Sequence, residues 1–509
     1  MFDAMFDAEA AVSAFYTVFA LDTAVAIAIG VAIGITTGAI PGLAHTLPIA
    51  LVLPFSFVLP FHQTLGILIG TYKGGNFGGS ITAISFGTPG VSGAAATVAD
   101  GYALTKQGKG KKALDMGLYA SITGDLFSDI VLIFLVVPIG MIAPQFGMAE
   151  LTVLYLLALS LVVVFSAENP GKGLISAGVG FFLAIIGRDV IQGTVRFTFG
   201  FDAFRGGFPL VPFLMGFFAV PEIVAQIYNI FVRKATAENG AKRAEEYEKR
   251  IKKKEQGLTF REFINAWRGI SLGSLLGMAL GALPGPGATL SSYTAYSVTS
   301  QFTKDENYGK GSLEGVAAAE TANNATVGAT FIPTLTFGVP GSSIAALLMA
   351  ALIMEGVPIG PRVVVDHTET VYTLFLLLIV ANPFNLIAGR ILIPVYSRLT
   401  KLPPEILWPI IAMFLTVGVY SFEHRVFDIP VMLISGVIGY FFRWYKISDG
   451  PLVLAFLVAP LFEPNLRQAL MMSGGDPRFF FDSTISIVLW IILIFSMIFF
   501  LRSSKKVSE

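Results

Sequence analysis

Residues 72–90 bring together Lys73, Asn76, Ser80, Thr82, Ser85 and Thr88, spaced by glycines and closed by Pro89-Gly90. Lysine supplies a positive charge, asparagine both a donor and an acceptor, and the hydroxyls further donors. Proline lacks an N–H and glycine takes backbone angles other residues avoid, so Pro-Gly ends a helix. The free amides of the next helix start, with the positive end of its dipole, hold anions such as carboxylates. Gly79, Ser80, Thr88 and the amides after Pro89-Gly90 are therefore candidate anion contacts. A second constellation runs from Glu314, Glu320, Asn323 and Asn324 through Thr334 and Thr336 to Pro340-Gly341, Ser342 and Ser343. Its carboxylate and carboxamide oxygens suit a hard cation such as Na⁺, and Glu320 or Glu314 can also carry a proton. Each group has a plainer use. Hydroxyls bond back to their own helix carbonyls, a glutamate closes a helix end, and Lys73 can snorkel to a membrane surface.

Asp125 and Asp129 stand four residues apart, on one helix face. In a helix starting near Ala113, Asp125 lies about 18 Å along the axis at ~1.5 Å per residue. An ionised group at that depth is costly, which marks ion coupling, a buried cation partner or contact with another subunit. Among the histidines, His45 beside Pro41-Gly42 is the one placed to serve a site.

The elements that must position these residues are membrane helices. The chain is 54% hydrophobic and only 13% charged, with a mean hydropathy of +0.73, whereas soluble proteins carry about 25% charged residues. Apolar runs of spanning length recur, which predicts an all-α polytopic membrane protein of about 10–12 transmembrane helices plus re-entrant or broken ones. The alternation of an outer-membrane barrel is absent. Zero net charge gives no field directed at nucleic acid, and the lack of cysteine removes disulfides, thiolate metal sites and cysteine nucleophiles. No cofactor is implied, and no metal beyond a coupling Na⁺. Spans are predicted near 23–40, 113–137, 149–166, 172–187, 208–232 and 269–290, then 371–393, 404–421, 429–442, 450–462 and 480–501. A short apolar piece at 46–60, with three prolines, reads as bent or partly helical. Residues 72–90 read as irregular backbone, which a membrane tolerates only around protein or a watery cavity. Lysines 106–112, Arg398 with Lys401, and Arg443 with Lys446 fall in alternate loops. The positive-inside rule then puts the C-terminus in the cytoplasm and the acidic N-terminus outside.

The breaks repeat. Gly38-Ala39-Ile40-Pro41-Gly42 is echoed by Gly281-Ala282-Leu283-Pro284-Gly285, and Phe86-Gly87-Thr88-Pro89-Gly90 by Phe337-Gly338-Val339-Pro340-Gly341. The chain divides into a first repeat with N-terminal spans (1–232), a charged cytoplasmic linker (233–268) and a second repeat with C-terminal spans (269–509). The second repeat is longer between its motifs, which predicts an insertion in the polar loop around Lys304-Asp305-Glu306. Opposite charge bias after the two motifs predicts inverted topology. Inverted repeats with broken helices mark many secondary transporters, whose substrate sits at the repeat interface. An old duplication whose glycines only pack helices is the alternative.

Several ordered blocks resemble the large membrane subunit of the tripartite tricarboxylate transporter family. They are Gly70 to Gly90, Asp100-Gly101-Tyr102 with Lys106-Gln107-Gly108, Arg196-Phe197-Thr198-Phe199-Gly200, Gly281 to Gly287, and above all Gly309 to Ala325. The resemblance implies a bacterial inner-membrane permease driven by an ion gradient. Its implied partners are a carboxylate substrate, a small membrane subunit and an extracytoplasmic solute-binding protein. Four places depart from the family pattern. Ala44-His45 stands where Gly-Pro is usual, Lys73 where tyrosine is common, Val91 where an acidic residue often follows, and Asp125 and Asp129 where small or apolar residues are usual.

The reading is thus a binding-protein-dependent importer of tri- or dicarboxylates by symport with Na⁺ or H⁺, and not an enzyme. Its substrate contacts are expected among Pro41, Gly42, Lys73, Asn76, Gly79, Ser80, Thr88, Pro89, Gly90, Pro284, Gly285, Asn323, Asn324, Pro340, Gly341 and Ser342. Glu320, Thr336, Asp125 and Asp129 are the ion-coupling candidates. An intramembrane enzyme, or a channel or exchanger using the same broken helices, is the alternative. No His-Glu-x-x-His element supports an enzyme.

Overall fold

The computed structural model describes residues 7–40, 45–54, 58–166, 170–233, 256–285, 287–399 and 404–507. Pro41, Gly42 and most of the charged linker (234–255) lie outside the described residues. Helices α1 (Ala8–Val18), α2 (Leu21–Gly38), α3 (Thr46–Val52), α4 (Phe61–Phe86), α5 (Val98–Lys106) and α6 (Gly110–Ile142) come first. Next are α7 (Met148–Ser166), α8 (Pro170–Ala184), a small antiparallel ribbon of β1 (Gly187–Arg188) and β2 (Val195–Arg196), and α9 (Leu210–Arg233). The second half opens with α10 (Phe260–Asn265), α11 (Trp267–Gly281), α12 (Gly287–Phe302), α13 (Leu313–Ala329), α14 (Phe331–Phe337) and α15 (Ser343–Met354). It ends with α16 (Val363–Asp366), α17 (Thr368–Leu399), α18 (Pro404–Glu423), α19 (Asp428–Trp444), α20 (Gly450–Met472) and α21 (Thr484–Val507). The fold is all-α and polytopic, as the apolar runs predict.

Among the described residues, four helices are by themselves long and apolar enough to cross a membrane: Leu21–Gly38, Gly110–Gln145, Leu210–Tyr228 and Thr368–Pro394. Helix α4 shows why others lack that signature. It has 26 residues, yet everything from Thr64 to Ser85 is buried. Protein rather than lipid surrounds its glycines and polar groups, so it needs no hydrocarbon-like surface.

Residues 72–86 are therefore helix, and the irregular backbone expected there is confined to the segment from Gly87 onward. The glycines serve packing instead. Gly70, Gly74 and Gly78 lie four apart on α4 and pack on the α2 backbone from Ile27 to Ile35, while Gly30, Gly34 and Gly38 of α2 pack in turn on Ile67, Thr71 and Gly75 of α4. A Cβ on Gly34 would lie 2.7 Å from the Gly75 nitrogen, so only glycine allows the two backbones to approach this closely. The second half repeats the device, with Gly269, Gly273, Gly277 and Gly281 of α11 against Glu314, Ala318, Ala322 and Thr326 of α13.

Correspondence between the halves extends to lengths and caps. Helix α4 ends on Gly87 at φ 69°, ψ 19°, and α14 ends on Gly338 at φ 69°, ψ 24°, both left-handed. Helix α6 has 33 residues and α17 has 32. The extra length of the second half lies largely in α12, which has 16 residues where α3 has 7. The loop around Lys304 is not its main location. Directions are opposed. Lys73 meets Asp129 while Ile84 meets Gly117, so α4 and α6 run antiparallel. Ser121 meets Asn324 and Ser128 meets Gly328, so α6 and α13 run parallel. Helices α4 and α13, which correspond, thus point opposite ways.

Candidate functional site

The breaks open onto one cavity of about 620 Å³. The first half contributes His45, Thr46, Tyr72, Asn76 and the turn from Gly90 to Gly93; the second contributes Gly281, Gly285, Thr326, Thr330, Pro340, Gly341 and Ser342. Three helices of the second half begin at its wall. These are α12 with Gly287, Ala288 and Thr289, α15 with Ser343 and Ile344, and α20 with Gly450 preceded by Ser448 and Asp449. The first four amides of a helix have no partner inside it, and each N-terminus favours an anion by about 0.3–1 kcal/mol. Ser342 caps α15, its hydroxyl oxygen accepting from the Ala345 N–H at 3.1 Å. No lysine or arginine stands among the lining residues, and Asp449 is their one acidic side chain. What the lining can offer an anion is therefore helix ends and amide dipoles.

The Pro-Gly turns keep their place by close approach. A Cβ on Gly90 would collide with the Gly38 carbonyl, and one on Gly341 would stand 3.2 Å from the equivalent Gly281 carbonyl. The Gly90 N–H donates to the Gly79 carbonyl at 3.1 Å. Gly79 itself packs against Val91 and supports the turn. Gly93 abuts the Asn323 carboxamide, which leaves no room for a side chain there.

Two polar clusters flank the cavity without lining it. In one, Lys73 Nζ donates to Asp129 Oδ2 at 2.7 Å and to Asn382 Oδ1 at 3.0 Å, with Asp125 Oδ1 at 3.6 Å. Asn382 also donates to Asp129 Oδ2 at 2.8 Å. Helices α4, α6 and α17 supply these groups, and Lys73 and both aspartates are essentially inaccessible. In the other, Glu320 of α13 accepts from Ser80 at 2.5 Å, from Thr97, and from Ser121 at 3.2 Å. Asn324 donates to Ser121 at 2.8 Å. Among the described residues no basic side chain pairs with Glu320, and three hydroxyls from the first half carry its oxygens.

Of the residues singled out in the sequence, Asn76, Gly90, Gly285, Pro340, Gly341 and Ser342 line the cavity. Lys73, Asp125 and Asp129 come together in the first cluster, and Ser80, Glu320 and Asn324 in the second. Thr88, Pro89 and Pro284 are not among the lining residues. Thr336 donates to the Ile332 carbonyl at 2.7 Å, bonding back to its own helix. Pro41 and Gly42 fall outside the described residues, next to His45. Sequence reasoning passed over Asn382, Thr97, Ser121, Ser448 and Asp449. Asn382 had a visible signal, a carboxamide in the middle of the apolar run 371–393. Ser448 and Asp449 had none, because they read as an ordinary loop between spans.

The remaining blocks have structural uses. Asp100 of α5 is buried and accepts from the Gly311 and Ser312 amides, each at 2.8 Å, and from the Tyr296 hydroxyl at 2.8 Å, which ties α5 to the start of α13. Arg196 grips Glu463 of α20 with two bonds of 2.6 and 2.5 Å. Gly269-Ile270-Ser271-Leu272-Gly273 has the spacing of a hydrolase nucleophile elbow. It lies within α11, however, where its glycines pack against α13 and Ser271 is exposed.

Residues 24–454 match the tripartite tricarboxylate transporter TctA family. The chain is 30% identical over 448 residues to an uncharacterized 52.8 kDa protein in the TAR-I ttuC' 3' region of Agrobacterium vitis, covering 88% of this chain and 87% of that one. It is 34% identical over 211 residues to an uncharacterized protein in the TAR-II ttuC' 3' region of the same organism, covering 41% of this chain and 87% of the relative. No solved structure matches it.

Proposed function

We propose a function from a premise the matches establish: this chain belongs to the tripartite tricarboxylate transporter TctA family. It is a multi-pass membrane component of such a transporter. The finer reading is a permease that takes a di- or tricarboxylate from an extracytoplasmic solute-binding protein and imports it by symport. The small membrane subunit completes the complex in the bacterial inner membrane, with the N-terminus of this chain outside and its C-terminus in the cytoplasm. One observation carries the reading. Both Pro-Gly turns and three helix N-termini converge on a single cavity between two halves whose central helices are antiparallel. Free amides and hydroxyls suit a carboxylate, and opposed repeats around a central site suit alternating access.

Asp449 supports symport over uniport. An ionised Asp449 would meet an entering carboxylate with like charge, and a cation entering too, or a proton taken up there, relieves that repulsion. Glu320, held by hydroxyls from the opposite half, offers oxygens for such a cation. A channel is less well served, because the cavity is walled by close-packed glycine turns.

The test is uptake into proteoliposomes holding this chain and the small subunit, with binding protein outside. Carboxylate accumulation is expected only with binding protein and an inward Na⁺ or H⁺ gradient. Uptake unaffected by omitting the binding protein would contradict the reading.

A further inference from the structure

We propose that Lys73, Asp125, Asp129 and Asn382 form a proton-binding site in which Asp125 carries one exchangeable proton. This rests on the transporter reading and narrows its coupling ion. The first support is a charge count. Lys73 spends its short contacts on Asp129 and Asn382, and Asn382 adds a second donor to the same Asp129 oxygen. One ammonium is thereby matched to one carboxylate. Asp125 is left over, 3.6 Å from the ammonium, with both oxygens buried and, among the described residues, no donor within hydrogen-bond distance. It lies about 22 Å along α6 from Gly110 at ~1.5 Å per residue, near the middle of the helix. A second ionised carboxylate there is costly. A proton on Asp125 makes the cluster neutral.

Na⁺ is served worse. Lys73 already occupies the position next to both carboxylates, and Asp125, Asp129 and Asn385 together offer four unpartnered oxygens among the described residues. Hard cations gather about six or more. The groups facing Asp125 agree with a single-proton site. Lys73 and Tyr72 approach from α4, Asn382 and Asn385 belong to α17, Asp129 stands one turn along α6, and Glu320 of α13 is held through Ser121, one turn the other way.

The link to substrate is short. Tyr72 and Asn76, on either side of Lys73 along α4, line the cavity, and Asn385 donates to the Lys73 carbonyl at 3.4 Å. Any shift of α4 on loading the cavity moves the ammonium relative to Asp125. In the cycle an O–H bond forms on Asp125 with a proton from water on one side of the membrane. That bond breaks to water on the other side, while Lys73 stays an ammonium and no other bond changes.

Infrared spectroscopy of the full chain in liposomes, in H₂O and D₂O, reads the proton directly. The expected result is a protonated-carboxyl band that shifts on deuteration. It is lost in Asp125→Asn and kept in the surface control Asp202→Asn. Identical spectra for wild type and Asp125→Asn overturn the proposal, as does an Asp125 carboxylate band that responds to Na⁺ at fixed pH. Should Asp125→Asn fail to fold, Asp125→Glu must displace the band; an unmoved band is equally fatal. In the complete complex, with citrate and malate as probes, Asp125→Asn should lower pH-gradient-driven accumulation to a ratio of about one while exchange at equal pH persists. Equal loss of both overturns the coupling role. If wild type moves neither probe, the transporter reading suffers, and the infrared result still decides the proton site.

Discussion

Helix α4 and the α13–α14 pair are the same element used twice, with different chemistry. Both end on a left-handed glycine and both lead into a Pro-Gly turn set against the carbonyl that closes the neighbouring helix. The offset of 251 residues that carries Gly87 onto Gly338 carries Lys73 onto Asn324. Both side chains reach α6. Lys73 finds two aspartates, while Asn324 finds the Ser121 hydroxyl beside Glu320. The duplicated backbone builds the cavity, and the places where the halves part company hold the ionisable groups. Symmetry supplies the scaffold and asymmetry the buried charge.

The largest expected effect comes from breaking the charged side of that comparison. Lys73→Met leaves the Asp129 carboxylate buried beside Asp125 without its cation, at a cost of about 3–5 kcal/mol, read as lost thermal stability or membrane abundance. Adding Asp125→Asn and Asp129→Asn together should restore most of it. No restoration would mean that the cluster is not one electrostatic unit. Next come the turns. Gly90→Ala should cost about 1–3 kcal/mol by overpacking and abolish uptake, with Gly341→Ala milder because the atom its Cβ would collide with is the Thr330 side-chain hydroxyl rather than a backbone carbonyl. Equal effects would remove this difference between the halves. On the neutral side, Asn324→Ala or Ser80→Ala unpairs one member of the Glu320 network, for about 1–3 kcal/mol. Transport should fall without loss of membrane abundance. Normal transport in both variants would detach Glu320 from the mechanism.

The smallest effect lies outside the membrane, in the ribbon that ties to α20. The Gln192 amide and then Arg467 hold the Asp189 carboxyl down at about 2, below an ordinary aspartate near ~4. A depressed carboxyl adds stability that is complete above the unfolded value and lost as pH falls from about 4 through about 2. Asp189→Asn should flatten that acid limb, which acid-unfolding curves would show. An unchanged limb would place the acid sensitivity elsewhere.

How far the sequence could be read follows the same division. Long apolar runs declared α6, α7, α9 and α17 to α21, because lipid-facing surface must be apolar. The paired Pro-Gly motifs declared the cavity walls, since only those residues make such turns. The interior of α4 reads as irregular backbone in the sequence for a physical reason. Glycines four apart look like flexible backbone in sequence, and only the partner helix shows them to be a packing face. The clusters were half visible. Lys73, Asp125 and Asp129 stood out singly, but their meeting needed the antiparallel approach of α4 and α6. Asn382 needed a third helix, some 250 residues farther along.

The central claim is that substrate sits between the two Pro-Gly turns, and the absence of cysteine in this chain makes it directly measurable. Ser342→Cys introduces one thiol at the cavity wall. In proteoliposomes with the small subunit and binding protein, a transported carboxylate should slow its labelling by a membrane-permeant maleimide several-fold. A control thiol at Asp202 should label at an unchanged rate. Labelling of the Ser342→Cys thiol at the same rate with and without substrate would contradict the account.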